Sequence, residues 1–316
     1  MVNYKVKSPI LLLIFNRPIY TGKVFEQISR AKPRKLYIAA DGPRAKVEGE
    51  IEKCQKARSI IDKINWECTV STLFRTENLG CKIGVSTAID WFFENEEEGI
   101  ILEDDCLPNQ SFFRFCDVML EHYRYDQRVG SITGSNHHNK ESWGTASYYF
   151  SQRSDIWGWA SWRRTWEKYD VSLSNYSVQE AATLLKKMFA DELLLSEWLT
   201  IFEQVKRGAI DTWDYQFHFL NFVEYALCVV PNHNLISNIG FGEDATHTFD
   251  VGSTFANAVT TDLETITHPT SFIPEKEADR QVFEKEFKLS EKRMNIKKDE
   301  LLRRRVKRWF KKLFKK

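Results

Sequence analysis

The sequence predicts an α/β protein with a mixed, mostly parallel, Rossmann-like sheet flanked by helices. Three observations predict it. Short apolar runs recur at residues 9–15, 35–40 and 99–102, the first fitting a strand buried on both faces, and 69–74 reads as a further strand. Stretches with apolar residues at helical spacing separate them, as with Val24, Phe25 and Ile28 in 19–31. This alternation suits parallel pairing, because parallel neighbours need a crossover between them.

Taken in order, the run 9–15 closes at Asn16-Arg17-Pro18, and the helix 19–31 follows. Strand 35–40 ends at Asp41-Gly42-Pro43-Arg44, a composition that makes a good turn. A carboxylate there can equally accept from a nucleobase imide N–H, with the nearby arginine taking a phosphate. A helix over 47–64 and a strand over 69–74 complete two crossovers, which put Asn16-Arg17, Asp41-Gly42 and Arg75 on one sheet edge. Asn78-Leu79-Gly80 then leads into a helix over 82–94, where Gly80 permits close approach of the backbone.

The strand 99–102 stops at three consecutive acids, Glu103-Asp104-Asp105, and Pro108 is expected to keep it from continuing. Ligands of open α/β sheets bind at the carboxyl ends of strands, and three adjacent carboxylates repel one another unless compensated. Hard oxygen ligands on a short loop suit Mg²⁺ or Mn²⁺, which keep waters and share their sites with phosphates. The same triplet also reads as a solvated turn that caps the next helix. That helix spans 110–125 with a core face of Phe112, Phe113, Cys116 and Met119, and a strand follows over 128–133.

Aromatic residues then concentrate between 143 and 166. Trp157-Gly158-Trp159 suits a loop that offers ring faces to a sugar, and suits core packing equally well. Residues 178–208 read as two helices. The stretch Asp211-Thr212-Trp213-Asp214 opens a third, with Thr212 as N-cap and Asp214 in the first turn. Asp214 has a second reading, as a general base between water-excluding aromatics. A strand over 227–230 precedes a polar, glycine-containing run with His247, a residue type that can ligate a metal or meet a phosphate.

The 316 residues carry a net charge of +1, but nine Lys/Arg and no acid fall in 303–316. The remainder is therefore net acidic, which argues against a nucleic-acid partner. Six scattered cysteines without a CxxC pair argue against zinc or a redox motif and suit reduced thiols in a cytoplasmic protein. No export signal is read at the N-terminus. Residues 1–270 read as one domain with halves 8–135 and 136–270, followed by a charged linker or helix over 271–300. In 301–316, Val306, Trp309, Phe310, Leu313 and Phe314 share one helical face and Lys/Arg fill the other, the signature of a helix lying on an anionic membrane surface.

The set Leu11-Leu-Leu-Ile-Phe-Asn-Arg-Pro18, Ala40-Asp-Gly-Pro-Arg44, Arg75 with Asn78-Leu-Gly80, Ile101-Leu-Glu-Asp-Asp105, Trp157-Gly158-Trp159 and Trp213-Asp214 resembles, in order and spacing, a nucleotide-diphospho-sugar glycosyltransferase of the GT-A fold. The nearest group is the bacterial one similar to eukaryotic N-acetylglucosaminyltransferase I, over residues 8–250. The resemblance implies a UDP-sugar donor held by Asn16, Arg17, Asp41, Arg75, Asn78, Gly80, Glu103 and Asp104, with Asp41 on the uracil and Glu103 and Asp104 on the ribose or sugar. It implies Mn²⁺ or Mg²⁺ on Asp105, and in the wider GT-A group a second ligand such as His247. Asp214 matches the catalytic aspartate, and Trp157, Gly158, Trp159 and Trp213 an acceptor or sugar wall. A single base without a covalent intermediate implies inversion. The implied setting is bacterial surface polysaccharide synthesis on a glycan or lipid-linked acceptor, peripheral on the inner face of the cytoplasmic membrane. Two other classes stand beside it: a metal-dependent nucleotidyltransferase, for which no Gly-rich, lysine-bearing phosphate loop follows the first strand, and a non-catalytic nucleotide- or glycan-binding protein.

Overall fold

The computed structural model describes residues 4–138, 141–241 and 256–313. Its centre is an eight-stranded sheet in the order β3 (Thr69–Phe74), β2 (Lys35–Ala40), β1 (Ile10–Ile14), β4 (Glu98–Glu103), β8 (Trp159–Trp162), β6 (Val129–Thr133), β9 (Leu227–Pro231), β7 (Tyr148–Ser151). Strands β3, β2, β1 and β4 pair in parallel, β6 pairs in parallel with β9, and β8 and β7 run antiparallel to their neighbours. A two-stranded antiparallel ribbon joins β5 (Cys106–Pro108) to β10 (Ile236–Asn238).

The period-2 geometry of a strand explains why the early runs are apolar throughout. In β1, Ile10, Leu12 and Ile14 enter the core on one face and Leu11 and Leu13 the core on the other. Helices α1 (Pro18–Ala31) and α4 (Gln110–His122) cover the first face with Val24, Phe25, Ile28, Phe112, Cys116 and Met119. Helix α3 (Gly80–Asn95) covers the second with Ala88, Ile89 and Phe92, joined by Trp159, Trp213 and Phe217. A separate helical layer packs α6 (Val178–Met188), α7 (Glu192–Lys206) and α8 (Asp214–Val223) through Leu185, Trp198, Phe202, Phe219 and Phe222.

Several expectations change. The helix read over 47–64 is α2 (Glu50–Arg58) followed by a 3₁₀ turn, Ser59–Lys63, and the helix read over 110–125 ends at His122. Pro108 does not end the extended chain; after the turn at Asp104-Asp105 it lies in β5, paired with Ile236. Residues 148–151 and 159–162, within the aromatic stretch, are strands, and β8 is inserted antiparallel in the middle of the sheet. Thr212 is not the cap of α8; Trp213 occupies that position without a side-chain bond. The charged stretch after 270 forms α9 (Lys276–Glu286) and α10 (Leu289–Leu313), and α9 buries Ala278, Val282 and Phe283 against the body.

Candidate active site

From β1 the chain moves outward to β2 and β3, then returns to lay β4 on the other side of β1. Strand order therefore reverses between β1 and β4, and the carboxyl ends of β2, β1 and β4 open into one crevice, where ligands of open α/β sheets bind. A cavity of about 520 Å³ lies there. Its walls hold six carboxylates, Asp41, Glu103, Asp104, Asp105, Asp211 and Asp214, against three arginines, Arg17, Arg44 and Arg75.

The acidic corner follows from where β4 stops. Glu103 is its last residue, and Asp104-Asp105 turn the chain into β5. Arg17, directly after β1, reaches across: its Nη2 donates to Asp104 Oδ1 and lies 3.0 Å from Asp105 Oδ2. The loop after β10 closes the corner from the far side, with the Ile239 N–H donating to the Asp105 carbonyl at 2.9 Å. Gly240 is required there, because a Cβ would come within 2.1 Å of Asp105 Oδ2. Burial pushes the Glu103 carboxyl well above its usual range, and Asp105 and Asp104 push it further. Burial also raises Asp104, opposed by Arg17. Glu103 Oε1 and Asp104 Oδ2 are buried and find no hydrogen-bond partner among the described residues.

Those two orphaned oxygens, and a triplet of acids offset by one arginine, fit a divalent cation. The described residues bring together no three His, Cys, Asp or Glu side chains as a closed metal cage. An Mg²⁺-type site needs none, since it uses one or two carboxylates and takes its other ligands from water and phosphate. His247 lies outside the described residues.

Asp41 departs from the expected role. Its carboxylate already accepts from the Gly42, Leu79 and Gly80 amides at 2.9–3.1 Å and from Asn78 Nδ2 at 3.0 Å. These donors use the acceptor capacity intended for a base, and they tie the end of β2 to the start of α3. Asn78, which also donates to the Gly42 carbonyl at 2.9 Å, is part of the same clasp. Asn16 is a further correction: it does not line the cavity, and its amide donates to Glu50 Oε1 at 2.8 Å. Arg75 lines the cavity and donates to Gly84 O at 2.9 Å and Thr87 Oγ1 at 2.7 Å, both neutral acceptors.

Asp214, which also lines the cavity, opens α8. Thr212 Oγ1 and the Tyr215 N–H both donate to its Oδ1, the latter at 2.9 Å. Trp213 lines the cavity yet is almost wholly buried, stacked on Trp159 with ring centroids 5.7 Å apart. Trp159 has no exposed surface and does not line the cavity, so its expected place in a sugar wall is wrong; antiparallel insertion of β8 turns it into the core. Gly158 is likewise a packing residue. At φ +64° it presses on Ile236, whose Cδ1 a Cβ would meet at 2.4 Å. Trp157 alone of the triplet lines the cavity, held edge-on between the rings of His137 and Phe241.

Sequence reasoning missed Asp211, Ile156, Tyr215 and Asn238 as lining residues. Asp211 Oδ1 accepts from the Lys82 amide at 3.3 Å, joining the loop before α8 to the start of α3. Its position three residues before Asp214 is the only sequence signal for it, and the contact that places it spans 129 residues.

No protein-family model matches the chain, and no curated protein matches it in sequence. Solved structures overlap it in part. A cytidylyltransferase from Leptospira borgpetersenii serovar Hardjo-bovis aligns over 52% of this chain and 64% of its own, at 15% identity and a TM-score of 0.33. A UDP-glucose pyrophosphorylase complexed with UDP-glucose aligns over 48% and 64%, at 12% identity and 0.28. HddC from Yersinia pseudotuberculosis aligns over 51% and 80%, at 10% identity and 0.31. The chain thus spans less than two thirds of the first two, and likenesses this partial assign it no activity.

Proposed function

We propose that this chain is a metal-dependent, inverting glycosyltransferase that moves a sugar from a UDP-sugar to a glycan or lipid-linked acceptor in bacterial surface polysaccharide synthesis. The observation that carries the reading is the cavity at the strand-order reversal, which Glu103-Asp104-Asp105 and Asp214 both line. A cavity with twice as many carboxylates as arginines repels a nucleoside diphosphate unless a cation bridges them.

Asp105, backed by Asp104, would hold Mg²⁺ or Mn²⁺, and the ion would offset the charge that builds on the departing diphosphate. Arg17 and Arg75, which line the cavity, would meet the phosphates, while the Asp41–Asn78 clasp would shape the end that receives the base. Trp157 offers a ring edge and face to a sugar. Asp214 takes the proton of the acceptor hydroxyl as its oxygen attacks the anomeric carbon opposite the leaving diphosphate. Both internal donors address Oδ1, which leaves Oδ2 for that proton. Displacement from the opposite face in one step inverts the anomeric centre.

The test is Asp214→Asn assayed beside the parent protein with UDP-sugars and Mn²⁺. Removing a general base lowers kcat by about 10²- to 10⁴-fold, and UDP affinity by calorimetry should stay within about threefold of the parent. Loss of UDP binding together with turnover would return Asp214 to a structural role. Pyrophosphate release from a nucleoside triphosphate and a sugar 1-phosphate would instead make the protein a nucleotidyltransferase.

A further inference from the structure

Arg17 sits where a cation is wanted. Its Nη2 bridges Asp104 Oδ1 and Asp105 Oδ2, both on buried carboxylates. The backbone around it is fixed on both sides. β1 is held between β2 and β4, and the Arg17 carbonyl accepts from the Thr21 N–H at 3.0 Å and from Thr21 Oγ1 at 2.9 Å as α1 begins. Only the side chain is free to change partners, and the Tyr20 ring, 5.7 Å from the guanidinium carbon, gives it an apolar face to rest on.

A divalent ion drawn to the open Asp104 Oδ2 would share its carboxylate with the guanidinium already on Asp104 Oδ1 and Asp105 Oδ2, so the two positive charges repel at close range and each disfavours the other there. Leaving those buried acids with neither would be costly, which gives the arginine a reason to be there when no ion is bound. Phosphate oxygens alter the balance twice. They give Arg17 a bidentate partner of its own, and they supply ligands that the ion cannot obtain from two carboxylates.

We propose that Arg17 is an internal competitor of the divalent cation at Asp104 and Asp105, and that a nucleoside diphosphate relieves the competition by drawing the guanidinium onto its phosphates. This rests on the proposed use of a nucleoside-diphosphate sugar. Ion and nucleotide then bind with positive coupling, and by linkage each tightens the other by the same factor. The ion alone binds poorly, so the acidic corner does not load before the donor arrives.

The experiment measures Mn²⁺ binding to the full chain by electron paramagnetic resonance, with and without UDP, for the parent protein, Arg17→Gln and Arg17→Lys. In the parent, UDP should tighten Mn²⁺ by about tenfold or more. Arg17→Gln should bind Mn²⁺ alone about tenfold tighter than the parent, with most of the UDP enhancement gone. Arg17→Lys keeps the charge without the fork and should fall between them; it carries the test should the glutamine variant not fold. Variants that bind Mn²⁺ alone no tighter than the parent, or keep the full UDP enhancement, overturn the competition while leaving the metal-dependent reading intact. A parent protein that binds no Mn²⁺ with or without UDP overturns both.

Discussion

Two tryptophans separated by one glycine take opposite positions. Trp159 is buried between Trp213 and Phe217, with ring centroids 5.7 and 4.8 Å away, whereas Trp157 is half-buried at the cavity wall. Trp159→Ala should therefore cost about 3 to 5 kcal/mol of stability by urea unfolding, the usual range for emptying a large aromatic site. Trp157→Ala should cost less than half of that and raise KM for a sugar substrate instead. Equal destabilisation by the two variants would put Trp157 in the core as well. The composition of 157–159 does not separate these roles, because stacking platform and core use the same side chains. What separates them is where β8 begins: Trp159 is its first residue, paired with Ile101 and Thr133, while Gly158 at φ +64° breaks the extended chain that would otherwise put 157 and 159 on one face. The acidic corner was more legible: a buried run ending in three acids admits few alternatives once the run is a parallel strand. The saturation of Asp41 was not, since all its donors but the Gly42 amide come from residues 78–80, far along the chain.

At the scale of elements, the apolar runs of β1, β2 and β4 could be read because both of their faces are buried and every residue but those at the ends of β2 and β4 reports it. Helix α9 could not, because four buried positions, Ala278, Asp279, Val282 and Phe283, are diluted among charges. One of those four is itself an acid. Asp279 accepts from Ser151 Oγ and from the Gln152 N–H at 2.9 Å, pinning α9 to the end of β7. Burial pushes its carboxyl up to about 6 despite those donors. A folded pKa above the unfolded one means the native state binds the proton more tightly. Its stabilising effect is complete below the unfolded value near 4 and is lost as pH rises through about 6. The shift corresponds to about 2 to 3 kcal/mol. Asp279→Asn carries no titratable group, so relative to the parent it should gain up to that amount between pH 4.5 and 7. Urea unfolding of both proteins at the two pH values checks this; a difference that does not change with pH would mean that Asp279 is ionised throughout.

For the whole molecule the governing feature is the separation of charge, an acidic cavity in the body and nine basic residues in 303–316. Among the described residues, the ion pairs that tie helix α10 to the rest of the chain lie near its start, where Lys292 pairs with Glu197 at 2.7 Å and Arg293 with Asp191 and Glu284. Beyond that start Leu301, Leu302 and Val306 are exposed. No helix among the described residues is long and apolar enough to cross a membrane, so a membrane role for α10 has to be a surface one. Each basic residue near an anionic leaflet contributes about 1 kcal/mol. If half of the nine engage, attraction is about 4 kcal/mol, close to a thousandfold in partitioning. Deleting 301–316 should therefore release the protein from phosphatidylserine-containing vesicles in a sedimentation assay while leaving soluble-acceptor turnover unchanged. The intact protein should detach as salt rises from 0.05 to 0.5 M, because exposed charges are screened over about 8 Å already at physiological ionic strength. Binding to neutral vesicles should stay weak in both forms, since the apolar face is too short to hold the helix without the charges. Vesicle binding that survives the deletion would move the membrane-facing surface to the body, and binding indifferent to lipid charge would make the interleaved Trp309 and Phe310, not the lysines and arginines, its cause.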